Sequence, residues 1–136
     1  MIAADTNVLL RLYVNDHDGQ KQAALSMLSG VPAGHVRVSV VVLAEMAWAL
    51  RSVYKQPKKV IANVILDLLT REELTIESRA TVFQALSWFN AFRIDFSDCL
   101  IAALNEDAGA APTYTFDLDA AASNAFSLLG TKGSLE

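Results

Sequence analysis

The chain has 136 residues, 53% of them hydrophobic and 19% charged, with a formal net charge of −4 at pH 7. That length suits one domain with its own core, and the composition excludes a disordered tail, a coiled coil and a collagen-like repeat. The acidic balance argues against a general nucleic-acid binder that works through a basic surface. In chain order, Ile2–Ala4 reads as a short strand, followed by helices over about Thr6–Tyr13 and Asp18–Ser29. The β-branched alternation of Val36–Ser39 predicts a second strand. Val40–Tyr54 is helical by the recurrence of Leu43, Met46, Ala47 and Leu50. Pro57 suits the first turn of the next helix, whose apolar stripe is Val60, Ile61, Val64, Ile65, Leu68 and Leu69. A strand at Leu74–Ile76 follows, then a helix marked by Val82, Phe83, Leu86, Phe89 and Phe92. Another helix is marked by Leu100, Ile101 and Leu104 and is ended by Gly109. A strand at Thr113–Phe116 and a helical Ala120–Ala125 complete the pattern. Strands alternate with helices, which predicts an α/β fold with a mostly parallel sheet.

Nothing divides the chain, so residues 1–136 are expected to form a single domain. The longest nearly apolar run, Val38–Leu50, is broken by Glu45 and is shorter than the roughly 20 residues of a bilayer span. The N-terminus has no basic stretch of the signal-peptide kind. Cys99 is the one cysteine, so a reduced, cytoplasmic setting is expected. The terminal Leu135-Glu136 reads as a tail or cloning scar and carries no weight.

Four acids stand out. Asp5 and Asp117 directly follow predicted strands, where open parallel sheets bind their ligands. Asp98 opens a helix. Glu45 is the one charged residue in Val38–Leu50, and an acid inside an apolar helix is costly unless paired or metal-bound. The four are expected to converge on one edge of the sheet. Carboxylates so placed repel one another unless a hard divalent cation joins them. No Cys/His cluster suits zinc, so the expected chemistry is Mg²⁺- or Mn²⁺-assisted phosphoryl transfer. The chain has 15 acidic and 11 basic residues. Setting these four acids aside leaves the signs equal, so the whole negative balance is assigned to the site. Each acid also has a bland role: Asp5 as a helix cap, Asp98 as a first-turn acid, Asp117 as a cap of the last helix.

The segments Asp5-Thr6-Asn7-Val8-Leu9-Leu10, Leu43-Ala44-Glu45, Phe96-Ser97-Asp98-Cys99-Leu100-Ile101-Ala102-Ala103 and Thr115-Phe116-Asp117 resemble, in order, the PIN-domain ribonucleases. Within that family they are most similar to the VapC-type toxins of bacterial toxin–antitoxin pairs. The resemblance implies a PIN-like fold, a central mostly parallel sheet flanked by helices. It implies Mg²⁺- or Mn²⁺-dependent cleavage of RNA, an antitoxin protein as partner and a homodimer. It assigns Asp5, Glu45, Asp98 and Asp117 as the catalytic and metal-binding acids. Thr6, Asn7 and Thr115 match polar neighbours that orient water or carboxylates, and Asp95 and Asp119 are nearby acids with a supporting role.

Two other readings compete. A haloacid dehalogenase-type phosphatase wants a second acid two residues after the first, where this chain has Asn7, and a Lys near the third motif, which is absent. A degenerate PIN module for RNA binding or scaffolding wants lost acids, and all four are present. Tyr54 with Lys55, Lys58 and Lys59 forms either a phosphate-tracking patch or a solvated helix start. Arg11 is either a phosphate contact or a surface arginine. Trp48 and Trp88 are expected in the core or at a dimer contact. Cys99 is expected in the core, and His17 and His35 in loops.

Overall fold

The computed structural model describes residues 1–130; the Leu135-Glu136 tail lies outside the described residues. The chain forms two compact units, Met1–Arg79 and a second beginning at Ala80.

The first unit is built on three parallel strands, β1 (Ile2–Ala3), β2 (Val36–Val38) and β3 (Leu74–Ile76), in that order across the sheet. Parallel neighbours need crossover connections, which helices supply. Between β1 and β2 lie α1 (Thr6–Leu10) and α2 (Asp18–Ser29); between β2 and β3 lie α3 (Val40–Ser52) and α4 (Lys58–Thr70). The central strand alternates as the pleat demands, with Val36 and Val38 buried and Arg37 exposed. Leu9, Leu43, Met46, Leu50, Ile65 and Leu68 are also sealed from solvent, and α3 packs on both α1 and α4. The apolar stripe of α4 is inward as expected, except that Val60 is exposed. The stretch after α1 is tied to α4 by Tyr13, whose hydroxyl donates to Asp67 Oδ2 at 2.5 Å. Burial, then this partner, pushes the Tyr13 phenol well above its ordinary range.

The second unit carries most of α5 (Arg79–Ala91), then α6 (Phe96–Asp107) and two parallel strands, β4 (Thr113–Thr115) and β5 (Phe126–Leu128). Phe89 and Phe96 meet edge to face with ring centroids 5.8 Å apart, a favoured aromatic geometry. Cys99 is buried, as expected of a small apolar side chain.

Observed element ends fall close to the sequence reading, with two differences. The first helix stops at Leu10, three residues early, and continues as turns whose Leu12 and Tyr13 amides bond back to Leu9 and Leu10. More substantially, the helix expected over Ala120–Ala125 is a single 3-10 turn at Ala120–Ala122, followed by β5. Ser123 is buried there and its hydroxyl accepts from the Ala125 amide at 3.2 Å. That local bond competes with helix continuation, a known habit of serine. Across the described residues no helix is long and apolar enough to cross a membrane.

Gly109 ends α6 with φ of +79°, and Gly34 precedes β2 with φ of +74°. A Cβ at Gly109 would meet nothing within 4 Å, whereas one at Gly34 would lie 3.3 Å from Thr75 Oγ1, which donates to the Gly34 carbonyl at 2.6 Å. Gly109→Ala is therefore expected to cost the backbone strain alone, about 1–2 kcal/mol. Gly34→Ala should cost more, because it also disturbs the Thr75 bond. Urea unfolding of the two variants beside the parent measures the difference; equal losses would show that the Thr75 contact contributes nothing.

Candidate active site

Asp5 follows β1 in extended conformation, with ψ of 177°, and is the N-cap of α1. Its Oδ1 accepts from the Val8 amide at 3.0 Å. The cap expected as the bland role is thus real. It is compatible with a second role, because capping uses one carboxylate oxygen and fixes the direction of the other. Asp5 is exposed, Thr6 half-buried and Asn7 exposed.

Glu45 differs from expectation. Its side chain is exposed, so no burial cost forces a partner on it. The apolar positions of α3 are split between two faces: Leu43, Met46, Ala47 and Leu50 point inward, while Val41 and Trp48 are 64% and 62% exposed. Glu45 lies four residues after Val41 and three before Trp48, which puts the three on one outer face. Trp48 is accordingly not a core residue. Periodicity located the helix but did not reveal that apolar residues occupy both sides of it.

α3 is held at its N-terminus by two side chains. Ser39 Oγ accepts from the Val42 amide at 3.3 Å, and Glu77 Oε1 from the Val40 amide at 2.9 Å. Glu77 also pairs with Arg37 at 3.2 Å. Glu77 directly follows β3, as Asp5 follows β1. Sequence reasoning missed it; the signal was its place at a strand end, and here the strand-end acid is a helix anchor.

In the second unit Asp117 follows β4. Its amide donates to Thr115 Oγ1 at 3.0 Å, and its Oδ1 accepts from the Asp119 amide at 2.9 Å. These two local bonds set the turn and the carboxylate. Asp117 caps no α-helix. Asp98 lies in the first turn of α6, half-buried, and Asp95 is the N-cap residue of the same helix. The Asp98 carboxyl is pushed above its ordinary range by desolvation first, then by the charges of Asp95 and Asp117. The structure therefore brings Asp98, Asp117 and Asp95 within electrostatic reach of one another. Tyr114, Phe116 and Leu118, on either side of Asp117, are exposed.

Among the described residues of the first unit, ion pairs join Arg11 to Asp16, Arg37 to Glu77, and Arg71 to Asp67 and Glu73, and none of these pairs engages Asp5 or Glu45. Arg11 is not free for phosphate: its guanidinium also donates to Gln20 Oε1 at 2.7 Å and to the Tyr54 hydroxyl at 3.3 Å. Lys55, Lys58 and Lys59 are exposed. His17 caps α2, its Nδ1 accepting from the Gln20 amide at 3.0 Å.

The donor set is all oxygen, which suits a hard cation. Among the described residues no group of three or more His, Cys, Asp or Glu side chains is arranged to hold a metal ion. Magnesium seldom requires one; it usually takes one or two carboxylates, with waters and substrate phosphates filling the rest. Asp98 and Asp117 fit that requirement, since a cation between them relieves the repulsion that Asp98 experiences. The PIN domain family model matches residues 2–124 of the chain, and a search of curated proteins finds no match.

Two outcomes follow from these environments. Because the Asp98 pKa is raised on folding, its ionisation works against the fold. Asp98→Asn should therefore raise the melting temperature at pH 7 in chelator, and the gain should fade as pH falls below the carboxylate range, about 4. Glu45→Gln, by contrast, should be neutral in chelator to within about 0.5 kcal/mol, as exposed substitutions are, while reducing the stabilisation that millimolar Mn²⁺ confers. Thermal melts across pH, with and without Mn²⁺, read both. An Asp98→Asn gain that persists unchanged at pH 3, or an undiminished Mn²⁺ response in Glu45→Gln, would refute the respective assignment.

Proposed function

The chain belongs to the PIN-domain family, a nuclease fold, and on that premise we propose that it is a metal-dependent endoribonuclease, one nuclease domain over residues 1–136, acting as the toxin of a toxin–antitoxin pair. The observation that carries the reading is the family match over residues 2–124, together with the grouping of Asp98 with Asp117 at positions where the sequence resembles the family's acidic motifs.

Asp98 and Asp117 would hold Mg²⁺ or Mn²⁺, and the resemblance assigns Asp5 and Glu45 the same metal-binding role. When bound, the cation supplies an activated water at neutral pH and offsets charge on the scissile phosphate. The chain's own residues set up that chemistry. Asp5 is held by its capping bond to Val8, and Asp117 by the Asp119 amide. Thr115 fixes the backbone that carries Asp117. Asp95 adds negative charge beside Asp98, which strengthens its demand for a cation. Thr6 and Asn7 directly follow Asp5 and would orient water. The net reaction adds water across one phosphodiester P–O bond of RNA. The partners are a cognate antitoxin and a second copy of the chain, and the exposed Val41 and Trp48 of α3 supply apolar surface for such an association. The setting is cytoplasmic.

End-labelled RNA incubated with the protein should be cut in Mn²⁺ and spared in chelator. Asp5→Asn and Asp98→Asn should each lower the cleavage rate by about a hundredfold or more, since even indirect partners of a metal site are worth 10–100-fold. Expression of the parent chain alone should arrest growth, and expression of either variant should not. Cleavage that continues in chelator, or survives in folded Asp98→Asn, would exclude the proposal.

A further inference from the structure

Between α1 and α2 the first unit has a cleft of about 370 Å³, near the lower end of the size range of small-ligand sites. Val8, Ala23 and Met27 give it apolar walls, Asn7 and Gln20 line it with side-chain amides, and Asp5 lines it as well. From this combination we infer that the cleft is a subsite for one nucleobase of the RNA substrate, next to Asp5, with Gln20 contacting the base edge. The inference rests on the nuclease reading and specifies where its substrate binds.

The chemistry favours a base. Thioether and methyl groups suit the face of a flat aromatic ring, and amides are the side chains that pair with base edges. The polar end of the cleft is already braced. Arg11 Nε donates to Gln20 Oε1 at 2.7 Å, and Arg11 Nη1 to Asp16 Oδ1 at 2.6 Å. The Tyr54 hydroxyl donates to Asp16 Oδ2 at 2.9 Å. Arg11 thus links α1 to α2 and fixes the Gln20 amide with its oxygen occupied and its NH₂ group available. The cation of Arg11 is matched by Asp16, so the cleft does not act as a phosphate trap. What Gln20 presents is a hydrogen-bond donor, which suits a carbonyl on a base edge such as that of uracil.

The test reads the cleft directly, apart from catalysis. Of the three methionines, Met27 lines the cleft, Met46 is fully buried and Met1 is exposed, so the other two are internal controls. The parent protein carrying ¹³C-methyl methionine is titrated in chelator with hexauridine and, separately, with hexaadenosine. Hexauridine should move the Met27 methyl signal saturably and leave Met46 unmoved, with hexaadenosine binding more weakly. Ala23 is exposed, so Ala23→Trp fills the cleft without entering the core and should weaken the hexauridine response about tenfold or more, 1.4 kcal/mol. Neither RNA moving Met27, tighter binding of hexaadenosine, or a response to a basic peptide and not to RNA would overturn the inference; the last outcome would make the cleft a protein-docking groove. The Mn²⁺ cleavage assay on the same sample separates the two claims. RNA cleavage without a Met27 response removes the subsite alone, whereas a Met27 response without cleavage keeps the subsite and removes the nuclease reading.

Discussion

The pairing of β2 on both edges is the constraint on which the first unit depends. Two of its three residues have partners on either side, Val36 opposite Ile2 and Leu74, Arg37 opposite Ala3 and Thr75, and Val38 pairs with Ile76. With both edges taken and both valines sealed, a slip of one residue would turn Val36 and Val38 toward solvent and Arg37 toward the core. Parallel pairing also compels all three strands to end on the same side. That is why Asp5, Ser39 and Glu77, each the first or second residue beyond its strand, become neighbours of helix N-termini. The Glu77 amide returns to the Val38 carbonyl at 2.9 Å while its carboxylate caps α3, so the end of β3 anchors the helix that carries Glu45.

This geometry explains why acids at strand ends are ambiguous. A helix N-terminus offers free amides, and a carboxylate satisfies them favourably. Asp5 caps α1 through one oxygen, and Asp117 accepts the Asp119 amide in the same fashion. Glu77 uses both oxygens, one on an amide and one on Arg37. The difference lies in what balances the charge. Glu77 is paired to a cation, as are Asp16, Asp67 and Glu73. Among the described residues Asp5 meets only an amide, and Asp98 has like charges for neighbours. Glu77 is neutralised where it stands, whereas Asp5 and Asp98 are left the charge that the proposed ligand-holding role needs.

Much of this was legible in the sequence, because strand alternation, the helix stripes and the Gly109 stop are local signals. α2 and β3 have the boundaries that the pattern predicts. Three features were not legible, each for a reason of distance or degeneracy. β5 is three residues long after an alanine run that favours helix by propensity, and only its pairing with β4 makes it a strand. Glu45 stands in an apolar run because α3 has apolar residues on its outer as well as its inner face, and composition does not distinguish the two. The Arg11–Asp16–Tyr54 network joins residues up to 43 apart in sequence, where no spacing rule applies. Of the proposed site, the sequence singles out the four acids, while the bonds that aim Asp5 and Asp117 require the backbone.

The same distinction bears on the acidic balance of the chain. A net charge of −4 opposes, at long range, the RNA binding that the proposed function requires, since a polyanion is repelled by it. Acids that the fold pairs with arginine contribute little to that repulsion, because each pair is close to neutral at distances beyond a few ångströms. Acids that no arginine balances contribute most, and under the proposed function a divalent cation would neutralise those at the site. Cation occupancy would then change the sign of the local field there. RNA affinity should consequently rise with divalent cation concentration at constant ionic strength, opposite to the ordinary weakening of phosphate contacts by added salt. The dependence should be strongest where Asp98 meets the charges of Asp95 and Asp117.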